Sequence, residues 1–354
     1  MSASPFESIR SGMRVLAWPI ENGKNPYTTQ IYENLGPDVN VDEWPGNPLK
    51  KYSVWHMHWP DGLLNVSNSL HAAYRVSGMF AIADCLHLRG TKIIWTMHNL
   101  QSHEAFHPSL ERWFWRQFIP RIDGAISLSS AGLSLAIKRF PRLKDIPTAV
   151  IPHGHYREDY PQNTVNARQA LGIPDESRVF MFLGAVRAYK NVAALVRAFR
   201  QVTIPHAVLY VAGVPGSSEL AAEILKEAAL DRRVCVKFEF IRVQDISTYL
   251  SAADLVVLPY REVLNSGSAL LALSCSRPIL VPDLGAMSEL QADYGDAWVQ
   301  TFSGPINANI LERGLNWASQ NRPPVCPVPD RYNWQSIRSR TVRFYESVVL
   351  ETRR

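Results

Sequence analysis

The 354-residue chain is poor in cysteine, and the four it has, Cys85, Cys235, Cys275 and Cys326, lie far apart and never form a Cys-x-x-Cys pair. That excludes a disulfide framework and a paired-cysteine zinc site, so a reducing cytoplasm is the expected setting. Long apolar runs are missing as well. No stretch reaches the roughly 18 consecutive apolar residues of a membrane span, and Met1 to Gly12 carries no apolar signal core. Any membrane contact is therefore expected to be peripheral. There is no low-complexity tract and no repeat of solenoid period. Charge of one sign is not in large excess: 37 Lys and Arg against 32 Asp and Glu give a formal +5. Such a surplus favours anionic partners, whether nucleotides, lipid headgroups or acidic glycans, but makes no case for nucleic acid.

What the chain does have is apolar content, 46% by residue, enough at this length to bury two cores of ordinary size. Short apolar runs alternate with helical patterns along nearly the whole sequence, as in parallel sheets covered by helices. In the first half, strands are expected at Arg14 to Trp18, Val54 to His58, Lys92 to Met97, Gly124 to Leu128 and Ala149 to Pro152. Helices are expected near Thr28 to Leu35, Ser67 to Leu88, Leu110 to Ile119 and Ala131 to Phe140. A second series has strands at Val179 to Leu183, Val208 to Ala212, Val234 to Phe238, Leu255 to Pro259, Ile279 to Pro282 and Trp298 to Thr301. Between the series, Tyr156 to Asn166 is polar, carries Pro161 and follows neither period. The expected organisation is an α/β chain of two doubly wound, Rossmann-like domains facing a cleft. Residues 1–155 form an acceptor-binding domain, 156–175 a linker and 176–330 a nucleotide-sugar-binding domain. A helix in 331–354 returns to brace the first domain.

The most informative stretch is Phe182-Leu183-Gly184-Ala185-Val186-Arg187-Ala188-Tyr189-Lys190, answered by Asn265-Ser266-Gly267-Ser268. An apolar strand stops at a glycine and delivers Arg187 and Lys190 to the start of a helical pattern; the second segment opens another helix with small donors. As plain surface charges, two cations on a first helical turn sit unfavourably against the helix dipole. An anion between them removes that cost, and backbone N–H groups beside a glycine are what a diphosphate requires.

At these residues the chain resembles the donor-binding domain of GT-B glycosyltransferases. The matching pattern is Leu183-Gly184-x-x-Arg187-x-x-Lys190-Asn191, then Asp254 through Pro259-Tyr260, Ser266-Gly267-Ser268 and Ser274-Cys275-Ser276-Arg277-Pro278. It covers Arg178 to Glu289. In the first half, His56-Met57-His58-Trp59-Pro60 and Trp95-Thr96-Met97-His98-Asn99 resemble acceptor-domain strand ends of bacterial exopolysaccharide transferases. As a whole the chain is similar to the nonprocessive β-mannosyltransferases of xanthan assembly. That resemblance implies GDP-mannose as donor, a polyprenyl-diphosphate-linked oligosaccharide ending in glucuronate as acceptor, a β-linked product, and work without a cofactor or bound metal at the inner face of the cell membrane. One departure matters. Large retaining GT-B families carry two glutamates eight residues apart, and the corresponding positions here are Val263 and Leu271, with Glu262 one residue from the first. Ser266 and Ser268 then stand as substitute partners for the ribose hydroxyls, and an inverting displacement fits better. It needs only a base and stabilisation of the departing diphosphate.

For that base the candidates are Glu104, His98 and Asp61, all near expected strand ends of the first domain, with a residue other than these three as the remaining alternative. A histidine has the right ordinary pKa, while a carboxylate needs its surroundings to raise its basicity. His98 and Asn99 equally well satisfy loop backbone groups. His58, Trp59 and Asn99 are the expected acceptor contacts. His56 and His58 alternate along one strand and so share a face; a metal is one reading of that spacing, and no cysteine lies near to support it. Trp55 and Trp59 read as core, with sugar stacking a second reading for Trp59. His153-Gly154 closes the first domain either as a contact to the donor phosphates or as a glycine turn. In Arg112-Trp113-Phe114-Trp115-Arg116-Gln117-Phe118-Ile119, residues Phe114, Trp115, Phe118 and Ile119 share a helical stripe and Arg112 and Arg116 another. Such a helix packs on its own sheet or lies on an anionic membrane. Two other activities use the same clamp: a sugar-nucleotide epimerase, which needs no acceptor, and a noncatalytic donor-binding partner subunit.

Overall fold

The computed structural model describes residues 12–19, 26–47, 50–101, 106–160 and 166–351. The chain divides into two compact units, one running to Gly154 and resuming at Asp330, the other spanning His155–Pro329.

The first unit is built on a six-stranded parallel sheet in the order β2-β1-β3-β4-β5-β6. Its strands are β1 (Met13–Trp18), β2 (Val39–Glu43), β3 (Val54–Met57), β4 (Lys92–Met97), β5 (Gly124–Ser127) and β6 (Thr148–Val150). Helices cover both faces, so the inner strands are apolar on both sides, as parallel sheets require. Alternate residues divide cleanly between two cores. Leu16, Trp55, Met57, Ile93, Trp95 and Met97 pack with the helices Ser69–Leu88 and Pro108–Phe118. Val15, Ala17, Val54, Ile94 and Ile126 pack with the helices Tyr27–Tyr32 and Trp334–Glu351. Gly124 is small where that last helix comes closest: a Cβ there would meet Val348 at 2.8 Å. Strand β2 has no counterpart among the strands expected from sequence. It is an edge strand with a half-exposed, polar Val39-Asn-Val-Asp-Glu43 composition, so it lacks the apolar signal of its neighbours.

The second unit is again a six-stranded parallel sheet, ordered β12-β11-β10-β7-β8-β9. Here the strands are β7 (Arg178–Leu183), β8 (Ala207–Ala212), β9 (Val234–Lys237), β10 (Leu255–Val257), β11 (Ile279–Pro282) and β12 (Val299–Phe302). From the central pair the chain winds outward through β8 and β9 on one side and β11 and β12 on the other, the order of dinucleotide-binding sheets. Ligands in such sheets sit beyond the strand C-termini where the winding reverses, which is between β7 and β10. Asp254, just before β10, ties this region together: it receives Arg168 Nη2 at 2.9 Å on both oxygens and the Val179 amide at 2.7 Å. Arg168 belongs to the short helix Ala167–Ala170, inside the segment expected as a linker.

Candidate functional site

In the second unit, the turn leaving β7 bends at Gly184, whose φ of +132° is open to glycine but rarely to other residues. A Cβ at this position would stand 2.7 Å from Ser268 Oγ and 3.7 Å from Lys190 Nζ. Gly184, Lys190 and Ser268 thus meet at the β7–β10 switch point. Lys190 is only 9% exposed. Its ammonium lies 5.5 Å from the Tyr260 ring centre and 6.0 Å from that of Phe182, and among the described residues no carboxylate pairs with it. Burial lowers its pKa from the ordinary lysine value, an effect that nearby Arg187 reinforces and Tyr189 opposes. A buried cation whose neighbours are aromatic rings is costly unless an anion joins it.

Arg187 is half-buried and donates from Nη1 to the carbonyls of Val186 and Val214, 3.1 and 3.3 Å away. The helical reading of this stretch needs correction. Arg187 to Lys190 do not open the helix: Ala188–Lys190 is a single 3-10 turn, Asn191 follows at φ +59°, and the helix begins only at Val192. Lys190 therefore reaches the site from a tight turn. The Ser266 expectation also changes. Its Oγ caps the helix Gly267–Ser274 by accepting from the Ala269 amide at 3.1 Å, and it lies 3.2 Å from the Tyr260 hydroxyl. Ser268 does not cap this helix and lies beside Gly184. Tyr260, not singled out beforehand as a site residue, hydrogen-bonds both serines. Asn265 is half-buried just ahead of the cap, Gly267 packs toward the Tyr156 hydroxyl, and Glu262 is exposed.

In the first unit, the strand ends assemble a buried chain of histidines and tyrosines. His56 and His58 share a face as expected, their rings 4.3 Å apart. Tyr32 Oη lies 2.8 Å from His56 Nδ1 and 2.6 Å from His58 Nε2. Tyr345, from the helix Trp334–Glu351, reaches His56 Nδ1 at 2.6 Å, and Thr96 Oγ1 lies 2.7 Å from His56 Nε2. His58 Nδ1 continues the chain to His98 Nε2 at 3.0 Å. Burial holds all these imidazoles toward the neutral form, His56 down at about 3 and His58 and His98 well below the ordinary value. The His58 assignment is corrected accordingly: both its ring nitrogens are engaged within the fold and it is 1% exposed, so it supports His98 and does not meet an acceptor. Among the described residues no group of three or more His, Cys, Asp or Glu is arranged to hold a metal.

Asp61 sits in the 3-10 turn Pro60–Leu64, buried, and burial raises its carboxyl to about 7 against the pull of hydrogen bonds from its own backbone and from Asn99. Trp59, half-buried, stacks on His98 with centroids 4.1 Å apart. Glu104 lies outside the described residues. His153 is buried against Tyr27 and Trp334, at 4.6 and 6.0 Å between ring centres, with Nδ1 2.8 Å from the Gly154 carbonyl oxygen. Burial lowers it to about 4. Gly154 fits where Trp334 leaves no room for a Cβ.

On the helix Pro108–Phe118, Phe114 and Trp115 are core residues at 0% and 4% exposure, and Trp115 Nε1 donates to Glu111. They fill the stripe that packs on the sheet, Trp115 lying 5.3 Å from Trp95 of β4 between ring centres, so for these two the packed reading holds and their expected membrane role is corrected. Arg112, Arg116 and Trp113, the last 39% exposed, remain outside. No described helix is long and apolar enough to cross a membrane.

Comparison with known proteins bears on the fold and the class of enzyme. Residues 177–302 match the family of glycosyl transferases group 1. The chain is 28% identical over 325 residues, 91% of its length and 88% of the relative's, to a GDP-mannose:glycolipid 4-beta-D-mannosyltransferase of Xanthomonas campestris pv. campestris. It is 24% identical, over 70% of its own length and 65% of the relative's, to a lipopolysaccharide 1,2-N-acetylglucosaminetransferase of Salmonella typhimurium. Among solved structures, Anabaena HepE, crystallised with UDP-glucose, superposes with a TM-score of 0.64 at 17% identity, covering 96% of this chain and 99% of that one. With two parallel six-stranded sheets, the fold of its solved neighbours, and a group 1 domain over residues 177–302, the chain is a glycosyltransferase of the GT-B fold.

Proposed function

We propose that the protein transfers mannose from GDP-mannose to a glycolipid, a polyprenyl-diphosphate-linked oligosaccharide, with inversion to a β-linked product. The observation that carries this reading is the buried ammonium of Lys190 beside Gly184 and Ser268, with no carboxylate partner among the described residues. A departing nucleoside diphosphate supplies the missing negative charge, and the charge that grows on it as the bond breaks is what Lys190, Ser268 and Arg187 stabilise. The choice of mannose and of a glycolipid rests on the Xanthomonas relative.

In the displacement, the acceptor hydroxyl oxygen bonds to the anomeric carbon from the face opposite the leaving group. Its proton passes to a base, and the anomeric carbon–oxygen bond breaks with its electron pair going to GDP. Our choice of base is Asp61: it is buried in the turn that follows β3, and burial raises its carboxyl to about 7, basic enough to take a proton near neutrality. His98 Nε2 already meets His58, and burial lowers the imidazole's basicity well below its ordinary value. The cations do the work that a divalent metal does elsewhere. Arg112, Trp113 and Arg116, exposed on one helix, suit a peripheral position on an anionic cytoplasmic membrane surface.

The test is a transfer assay with membrane-extracted glycolipids and a panel of nucleotide sugars, with the product anomer read by NMR and chelator added in parallel. Mannose appearing in the lipid fraction as a β-linked residue, undiminished by chelator, is the expected result. Turnover of the sugar nucleotide without any acceptor would identify an epimerase instead, and donor binding without transfer to any acceptor a noncatalytic subunit.

A further inference from the structure

The dipeptide Trp-Pro occurs three times in this chain, at Trp18-Pro19, Trp44-Pro45 and Trp59-Pro60. Each stands at the C-terminal exit of one of the three neighbouring strands β2, β1 and β3. Proline has no N–H to continue a ladder, so its place at a strand exit is understandable. Tryptophan is the unexpected partner, because a large apolar ring at a strand exit is left partly in water. Trp55 and Trp95, within strands of the same sheet, are 0% and 1% exposed, whereas Trp18, Trp44 and Trp59 are all half-buried.

The three exits are level with one another. The Trp44 amide donates to the Ala17 carbonyl at 2.9 Å, and the His58 amide to the Trp18 carbonyl at 3.0 Å. Each ring is braced by its neighbours. Trp44 stacks on Trp55 with centroids 5.0 Å apart and planes 16° from parallel, Trp18 lies 6.4 Å from Trp44 and packs on the same core, and Trp59 stacks on His98. Rigid indoles with one side fixed in the fold lose little freedom on meeting a ligand. They stand at the strand edge where α/β sheets bind ligands, with Asp61 two residues beyond Trp59.

We infer that Trp18, Trp44 and Trp59 form a row of stacking subsites for successive sugars of an oligosaccharide acceptor; this rests on the reading of the first unit as the acceptor side of a glycosyltransferase. A pyranose whose substituents are all equatorial presents only C–H groups on its two faces, a flat apolar disc that covers an indole while the hydroxyls stay in water. An axial hydroxyl lifts the ring off one face. The row therefore suits a β-linked chain of equatorially substituted pyranoses, with the reacting end at Trp59 and the remainder over Trp18 and Trp44.

The experiment titrates the full-length protein with glucose, cellobiose, cellotriose and cellotetraose, followed by tryptophan fluorescence. Affinity should rise with each sugar up to cellotriose and then level off. Trp18→Ala should bind cellotriose about tenfold more weakly, in line with a lost aromatic contact, while glucose binding is unchanged; Trp18→Phe should recover part of the loss. Trp44→Phe, which keeps a ring on Trp55, should lower cellotriose affinity less than Trp18→Ala does. A wild-type ladder that is flat, or a Trp18→Ala protein with a wild-type melting curve and a wild-type ladder, overturns the inference. A flat ladder in a protein that still glycosylates a glycolipid removes the subsites and leaves the transferase reading intact. A rising, Trp18-dependent ladder in a protein that transfers nothing upholds the subsites and removes the transferase reading.

Discussion

His58 Nδ1 and His98 Nε2 lie 3.0 Å apart inside the first unit, so neither imidazole takes up a proton without forcing a charge into a buried chain that continues through Tyr32 to His56. Four histidines, with His153, are held below their ordinary value by burial. In the unfolded chain they titrate near about 6.5. Below that pH the unfolded state binds more protons than the folded one, so stability must fall as pH drops, by about 1.4 kcal/mol per pH unit for each histidine. The fall continues toward about 4 for His153 and about 3 for His56. Asp61 acts in the opposite sense, since its folded value of about 7 lies above the unfolded one, and it adds stability as pH falls from 7. Four groups outweigh one. Thermal melts between pH 8 and 5 should show the unfolding temperature dropping steeply below about pH 6.5, and a level profile would mean that the histidines are not held neutral.

Lys190→Met should separate stability from activity. Removing a buried charge without a carboxylate partner should stabilise the free protein by about 1 kcal/mol or more, while transfer falls by about 3 kcal/mol of transition-state stabilisation, some hundredfold. Melting curves and steady-state rates on the same preparation check both. A variant that is both less stable and still active would show the lysine to be a packing element.

Gly184→Ala carries two penalties: a φ of +132° that alanine rarely adopts, and a methyl 2.7 Å from Ser268 Oγ. A loss of about 2 kcal/mol in stability is expected, together with weaker binding of GDP-mannose measured by calorimetry. Unchanged donor affinity would place the diphosphate elsewhere.

For Asp61→Asn, the prediction concerns the shape of the pH–rate profile. The wild-type rate should rise through an acid limb near the carboxyl's value of about 7. The variant should lose that limb and about 10² to 10⁴ in rate at neutral pH. Glu104→Gln and His98→Gln should keep it. Persistence of the limb in Asp61→Asn would move the base to one of those two residues.

The alternation of apolar runs and helical patterns was enough to read two doubly wound sheets, because inner parallel strands are apolar on both faces and leave a strong local signal. Strand β2 escaped because an edge strand half in water carries Asn40, Asp42 and Glu43 like a loop. Gly184, Lys190 and Ser268 were legible as a motif, yet the burial of Lys190 was not, since it depends on Phe182 and Tyr260 closing around it. The histidine chain was half legible: the alternation of His56 and His58 fixes their shared face, but Tyr32 and Tyr345 arrive from helices at opposite ends of the sequence. The Trp18, Trp44 and Trp59 exits carried a visible sign in the repeated Trp-Pro, one whose meaning emerges only when three strands are known to be neighbours.

Tyr345 and its helix have a consequence for how the protein is made. The core that joins Val15, Val54 and Ile94 to Trp334, Ile337, Phe344 and Tyr345 contains residues translated before and after the whole second unit. A ribosome therefore delivers His155–Pro329 as a contiguous piece, while one face of the first sheet, partly covered by the helix Tyr27–Tyr32, waits for its closing helix to be synthesised. The second unit is an insertion in time as well as in sequence. During that interval the unfilled part of this apolar face is open to chaperones and proteases.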